Sequence, residues 1–400
     1  MIRDQIIAKL ENISLTLKEN LNKEHNVGCL SGGAGIALFF YYYYEYSTDE
    51  KYYSTGASAI EGCLKKIKNS NRELSYCSGL AGFGWVLAHL KGRGSISLEE
   101  DFLIEIDTII YKILGVELKK NNFDFLYGCI GYGYYLLKRY QTADNRSEIG
   151  RYLELILDNL RIYSEKEGES LKFREKFTYD KERYNLGLSH GMSAILNFTT
   201  RLCAFNRFQF RAQKISDGVK NYLLSNMKES KNSSSFFPNT VALNGEKSGN
   251  SRLAWCYGDL GVAVSLWNYS KTTNDDELAN TSLKILKETT LRKSKETTKV
   301  VDYTLCHGSF GIAQIYKYMY DQTRLKIFNQ ASSFWIKDGM DRCQEGLGLS
   351  GFQYRSDIPG EWESSLGILK GISGIGLALI SNLSEKSLSW DECLMISNYE

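Results

Sequence analysis

Apolar residues recur along this chain in two rhythms. In stretches such as GIALFF (35–40), GVAVSLW (261–267) and GIAQIYKYM (311–319) they fill almost every position, whereas DFLIEIDTIIYKIL (101–114) spaces them three and four apart with charges between. Both rhythms are helical. A helix apolar on every side belongs in the interior, and one with a single apolar stripe covers it from outside.

Each all-round apolar run opens on the same punctuation, a Gly-x-x-Gly step. It is written SGGAGIALF from Ser31, SGLAGFGWVL from Ser78, YGCIGYGYYLL from Tyr127, HGMSAILNF from His190, YGDLGVA from Tyr257, HGSFGIA from His307 and KGISGIGLALI from Lys370. The first glycines are Gly32, Gly79, Gly128, Gly191, Gly258, Gly308 and Gly371, at separations of 47, 49, 63, 67, 50 and 63 residues. Only the fourth copy departs, with Ala194 in place of the second glycine. The shortest separations suit two helices and two connectors per copy. The pattern predicts an all-α fold, an α/α toroid in which seven inner helices are ringed by seven outer ones, as a single domain over residues 1–400. An open helical solenoid is the alternative. Both prolines, Pro238 and Pro359, fall outside the candidate inner helices, as continuous helices require. The long interval 141–186 leaves room for a small insertion. The polar, turn-rich stretch 231–252 reads as a loop, either a solvated connector or a lip for a cleft.

Composition narrows the function. With 43% apolar and 24% charged residues the chain is an ordinary folded protein. Its 49 basic and 47 acidic residues give a formal charge of +2 with no long single-sign block, which argues against nucleic acid as a partner. The opening MIRDQIIAKLENISL breaks its apolar residues with charges, unlike a signal peptide, and GIALFFYYYY is too short to span a bilayer. Nine cysteines in such a chain fit buried thiols in a reducing compartment better than a disulfide framework. A cytoplasmic protein without a transmembrane segment is expected, at most peripherally attached to a membrane complex.

Three residues carry candidate metal chemistry. Cys256 and Cys306 each stand two residues before the first glycine of their copy, and His307 follows Cys306. In a ring the same register in adjacent copies is the same height, so the two cysteines become neighbours. Two thiolates and one imidazole suit zinc, and three protein ligands with a fourth position open is the catalytic arrangement. The other reading is small buried hydrophobes. Cys77 occupies the equivalent register of the second copy and is the natural decoy.

The seven steps together with WCYGDLGV (255–262) and LCHGSFGIAQ (305–314) resemble the lanthionine synthetase C-like family, from about Gly28 to about Leu383. That resemblance implies a double-layered ring of fourteen helices and a zinc-dependent lanthipeptide cyclase. Such enzymes add cysteine thiols to dehydroalanine or dehydrobutyrine within a precursor peptide, closing thioether rings. It also implies Cys256, Cys306 and His307 as the zinc ligands. FDFLYG places Asp124 in the cleft, GLSHG nominates His190, and SRLAWCYG supplies Arg252 and Tyr257 at matching offsets. The implied partners are a dehydrated precursor peptide with its leader, a separate dehydratase and an export transporter.

The chemistry then assigns roles. Addition to the dehydrated residue creates an enolate that must be stabilised and protonated at its α-carbon. His190 is the candidate acid, and Asp124 either takes the thiol proton or orients His190. Arg252 is read as stabilising the enolate oxygen or anchoring a ligand, and Tyr257 as a hydrogen-bond donor. The structural alternatives are a capping or core role for His190, pairing of Arg252 with a carboxylate such as Asp259, and packing for Tyr257. At the level of function, the alternatives are addition of a small thiol such as glutathione to dehydrated residues, or a peptide-binding scaffold that uses zinc for stability.

Overall fold

The computed structural model describes residues 2–69, 73–175, 182–228, 234–356 and 358–398. Parts of two intervals singled out in the sequence, 176–181 and 231–233, lie outside them. Its helices alternate as the two rhythms require. Runs buried at nearly every position form α2 (Gly33–Ser47), α4 (Leu80–Gly92), α6 (Cys129–Thr142), α8 (Met192–Leu202), α10 (Asp259–Thr273), α13 (Ser309–Thr323) and α15 (Ile372–Leu383). Striped segments form α1 (Ile2–Asn20), α3 (Glu50–Asn69), α5 (Glu100–Lys120), α7 (Ser147–Tyr163), α9 (Gln209–Ser225), α11 (Asp276–Thr289) and α14 (Lys326–Asp341), with α12 (Lys295–Thr298) a single turn.

The difference between the layers is plain in single helices. All eleven residues from Leu80 to Leu90 of α4 are buried. Along α7 only Ile149, Gly150, Leu153, Ile156, Leu157 and Leu160 are, the three-four spacing of one face. Each fully buried Leu or Phe contributes about 1.5–3 kcal/mol, so the inner helices carry most of the core. No helix among the described residues is long and apolar enough to cross a membrane.

The chain forms two compact units. One comprises Met1–Leu98 and Val300–Cys393. Within it α15 packs against α1, α2 and α13, α2 against α3 and α4, and α13 against α14. Tyr76 Oη donates to the carbonyl of Cys393 at 3.0 Å. His89, left without a site role by the sequence, is buried, stacked on Trp85 and 2.9 Å from Tyr42 Oη.

The other unit comprises Glu99–Lys299 and Leu394–Glu400. There α8 packs against α6, α9 and α10, α6 against α5 and α7, and α10 against α11. Trp255 Nε1 and Asn268 Nδ2 donate to the carbonyls of Leu394 and Ile396 at 2.8 and 2.9 Å. The interval 141–186 holds α7 and then short strands, β1 (Glu165–Glu167) paired with β2 (Ser170–Lys172), and β3 (Arg174–Glu175) paired with β4 (Arg183–Asn185). β4 pairs in turn with β5 (Thr240–Ala242), which lies inside the stretch read from sequence as a loop. Three residues show no period of their own, and their extended form is set by the partner strand.

Two glycines show why the step is written as it is. A Cβ on Gly311 would lie 2.0 Å from the carbonyl oxygen of Leu305, so the helix start and the loop before it could not approach. Gly258 adopts φ of 85°, and a Cβ there would meet the Arg252 oxygen at 2.5 Å. The space and the left-handed backbone both demand glycine.

The loops ahead of these glycines are joined copy to copy at one register, two residues before the first glycine. In the first unit the amide of Cys306 donates to Leu369 O at 3.0 Å, Leu369 N to Leu30 O at 2.9 Å, and Leu30 N to Cys77 O at 3.0 Å. In the second, Leu188 N and Ser189 N donate to Cys256 O at 2.9 and 3.3 Å. Within each unit the same register is therefore the same level, as inferred from the repeats.

Candidate functional site

In the unit that holds Cys306, the loop VDYTLCHG is shaped by Asp302, which is fully buried. One carboxylate oxygen, Oδ1, accepts from Thr304 N and Thr304 Oγ1 at 3.1 and 2.9 Å, and Thr304 Oγ1 accepts from His307 N at 3.3 Å. The other, Oδ2, lies 3.0 Å from His307 Nε2. Burial works against the Asp302 charge, but the hydrogen bonds from His307 and Thr304 outweigh it and hold the carboxyl below its usual range. Imidazole backed by a carboxylate is the usual arrangement of a metal-binding histidine. Cys306 is buried, at 8% exposure.

In the other unit, Cys256 is 3% exposed. Its carbonyl also accepts Ser189 Oγ at 3.3 Å, so the GLSHG loop is fastened to the residue. Cys256 lies in one unit and Cys306 and His307 in the other, and all three side chains are of metal-ligating type. Two buried thiols and an imidazole whose second nitrogen is held by a carboxylate are chemically suited to zinc.

Asp124 and His190, 66 residues apart, are brought together: His190 Nδ1 is 2.5 Å from Asp124 Oδ2. The other Asp124 oxygen accepts from Tyr127 N at 2.7 Å. Asp124 thus contacts the His190 imidazole with one oxygen and its own loop with the other. Burial disfavours the His190 cation, yet the Asp124 charge and hydrogen bond, with a further pull from Glu175, outweigh it, and its pKa lies above the ordinary histidine value.

The Tyr257 ring sits beside His190, centroids 6.3 Å apart, and its hydroxyl accepts from Asn185 Nδ2 at 3.4 Å. Arg252 is half-buried. The carboxylate considered as its partner, Asp259, is instead bound by Arg292 at 2.7 Å and by Phe237 N at 2.9 Å.

Three residues of these surroundings escaped the reading of the sequence: Asp302, Asn185 and Glu175. A signal for two of them exists. Asn122, Asn185 and Asp302 each stand six residues before the first glycine of their copy. Each accepts from the amide two residues on, at 3.3, 2.8 and 3.1 Å. The register is a side-chain-capped turn that shapes the loop.

The sequence matches the family described as lanthionine synthetase C-like protein over residues 24–395, and the chain belongs to that family. Among solved structures it is similar to nisin cyclase, with a TM-score of 0.73 at 19% identity over 98% of this chain and 97% of that one. More distant likenesses include the GH76 α-mannanase of Bacteroides thetaiotaomicron, with a TM-score of 0.51 at 11% identity over 94% of both chains. No curated protein matches the sequence. The fold is the all-α, α/α-toroid class to which the repeats pointed.

Proposed function

We propose that the chain is a zinc-dependent lanthipeptide cyclase, adding cysteine thiols of a dehydrated precursor peptide to dehydroalanine or dehydrobutyrine. The observation that carries this reading is the Asp124–His190 pair with Tyr257 beside it, the loop of His190 being fastened to the carbonyl of Cys256. Family membership and the likeness to nisin cyclase support it.

Cys256, Cys306 and His307 would hold the zinc, with Asp302 fixing the tautomer and angle of His307. Bound there, zinc would supply Lewis acidity that favours the thiolate form of an incoming thiol, whose pKa is near 8.5 when free. Cys256 and Cys306, as thiolates, would balance the charge of the dication.

The rest is done by the chain's own side chains. As the C–S bond forms at the β-carbon, the π electrons move toward the carbonyl oxygen. Tyr257, with Arg252, meets the charge developing there. His190, protonated and steadied through Nδ1 by Asp124, delivers a proton from Nε2 to the α-carbon. The thiol proton passes to water and His190 regains one from it, so nothing is lost or oxidised overall: the product is an isomer of the dehydrated peptide, with one thiol fewer.

The test is direct. Incubated with a dehydrated, cysteine-containing peptide, the protein should remove free thiols without change of peptide mass, and added glutathione should not compete. Capture of glutathione, seen as a mass increase with the peptide thiols intact, would favour small-thiol addition. No loss of thiols would leave only a binding scaffold.

A further inference from the structure

The loop YNLGLSHG places Asn185 where it can govern Tyr257. Asn185 is 1% exposed, and its amide is used at both ends. Oδ1 accepts from Gly187 N at 2.8 Å, closing the turn that leads to His190. Nδ2 donates to Glu175 Oε1 at 3.0 Å and to Tyr257 Oη at 3.4 Å. Glu175 is itself fixed, its second oxygen accepting from Arg183 Nε at 2.7 Å.

The strands make this arrangement rigid. Glu175 on β3 is the register partner of Arg183 on β4, and Asn185 lies two residues further along the same strand. Residues two apart on a strand share a face, so Glu175, Arg183 and Asn185 line one side. Asp124, Glu175, Asn185 and His190 border the same small cavity, of about 30 Å³. The sixth copy repeats the design: Asp302, at the same register, builds its own turn with one oxygen and faces His307 with the other.

We infer that Asn185 is a positioning residue for Tyr257, holding the phenol oxygen as an acceptor so that its O–H is presented away from Asn185, toward the substrate. An amide N–H can only donate, so a hydroxyl bonded to it must turn its own hydrogen elsewhere. The Glu175 carboxylate, accepting from the same amide, fixes which end of Asn185 faces the phenol. This fixes an otherwise assigned amide orientation by its neighbours: with Oδ1 taken by an N–H and Nδ2 by a carboxylate, the reversed amide would oppose like groups on both sides.

The inference rests on the cyclase reading, and the experiment separates the two. The variant N185D/E175Q reverses the polarity of the 175–185 hydrogen bond while keeping one carboxylate, the acceptor for Gly187 N and the side-chain shapes. It replaces the donor toward Tyr257 with an acceptor, which draws the phenol hydrogen back. With the peptide assay in the wild-type background, the pair should lower kcat about tenfold with KM, zinc content and melting temperature little changed. In a Y257F background the same pair should have no further effect, because the group it acts through is gone. Equal losses in both backgrounds, or no loss in either, would overturn the inference while wild-type cyclisation stands. Should N185D/E175Q melt early, N185S in the same two backgrounds gives the same discrimination with a smaller loss: it leaves the Glu175 charge that His190 feels in place, withdraws the donor from Tyr257, and keeps a turn acceptor of the kind Ser365 provides to Gly367 N at 3.2 Å in the seventh copy. Failure of the wild type to cyclise any dehydrated peptide would instead remove the cyclase reading.

Discussion

Replacing Cys306 by alanine is expected to abolish stable zinc binding and to lower cyclisation by about 10³-fold or more, since several kcal/mol of thiolate activation and orientation go with the ion. The fold should survive. The bond that ties this loop to the next copy is made by the Cys306 amide, which donates to Leu369 O and does not depend on the side chain. Removing one buried sulfur should cost about 1 kcal/mol in stability. Cys77→Ala supplies the control: Cys77 is buried at the same register of the second copy, and its loss should leave zinc and activity in place. Elemental analysis, a melting curve and the thiol-loss assay read the three quantities. Zinc retained by Cys306→Ala, or lost equally by Cys77→Ala, would contradict the assignment.

His190→Asn should lower kcat by about 10²–10⁴-fold, the usual contribution of a positioned acid, while zinc content stays at the wild-type level. Asparagine can keep a hydrogen bond to Asp124 but cannot deliver the proton. The pH profile carries the sign of the same argument. Asp124 and Glu175 raise the His190 pKa, so the acid form persists to higher pH than an ordinary histidine allows, and activity should fall as pH climbs through that raised value. In His190→Asn this alkaline limb should vanish from the residual activity. An unchanged kcat, or an alkaline limb that persists, would assign the proton delivery to another group.

The layered fold was legible because it is written in a local rhythm. All-round apolar runs such as Leu80–Leu90 and single stripes such as that of α7 can be told apart within a few helical turns. The glycines repeat because the space at Gly311 and the backbone at Gly258 admit no other residue. The Asp124–His190 contact required the resemblance to bring its partners into view, since 66 residues separate them.

What stayed hidden is the support around these groups. Glu175 meets Asn185 only because β3 pairs with β4 in one particular register, and β5 joins them from a stretch whose composition says turn. Asn185 was in plain sight within YNLGLSHG, and so was Asp302 two residues before Thr304. Each looked like a turn former, and is one. A second task, performed by the far end of the same side chain, leaves no trace in composition. The register six residues before each glycine was the available clue, and it becomes informative only when the copies are compared at that position.

The most direct measurement on the central claim is the zinc content of the purified wild-type protein together with the X-ray absorption spectrum of the bound metal. The account predicts one zinc per chain, with two sulfur neighbours at about 2.3 Å and nitrogen or oxygen completing a four-coordinate shell at about 2.0–2.1 Å. A protein without zinc after purification in the absence of chelators, or a zinc shell containing no sulfur, would contradict it.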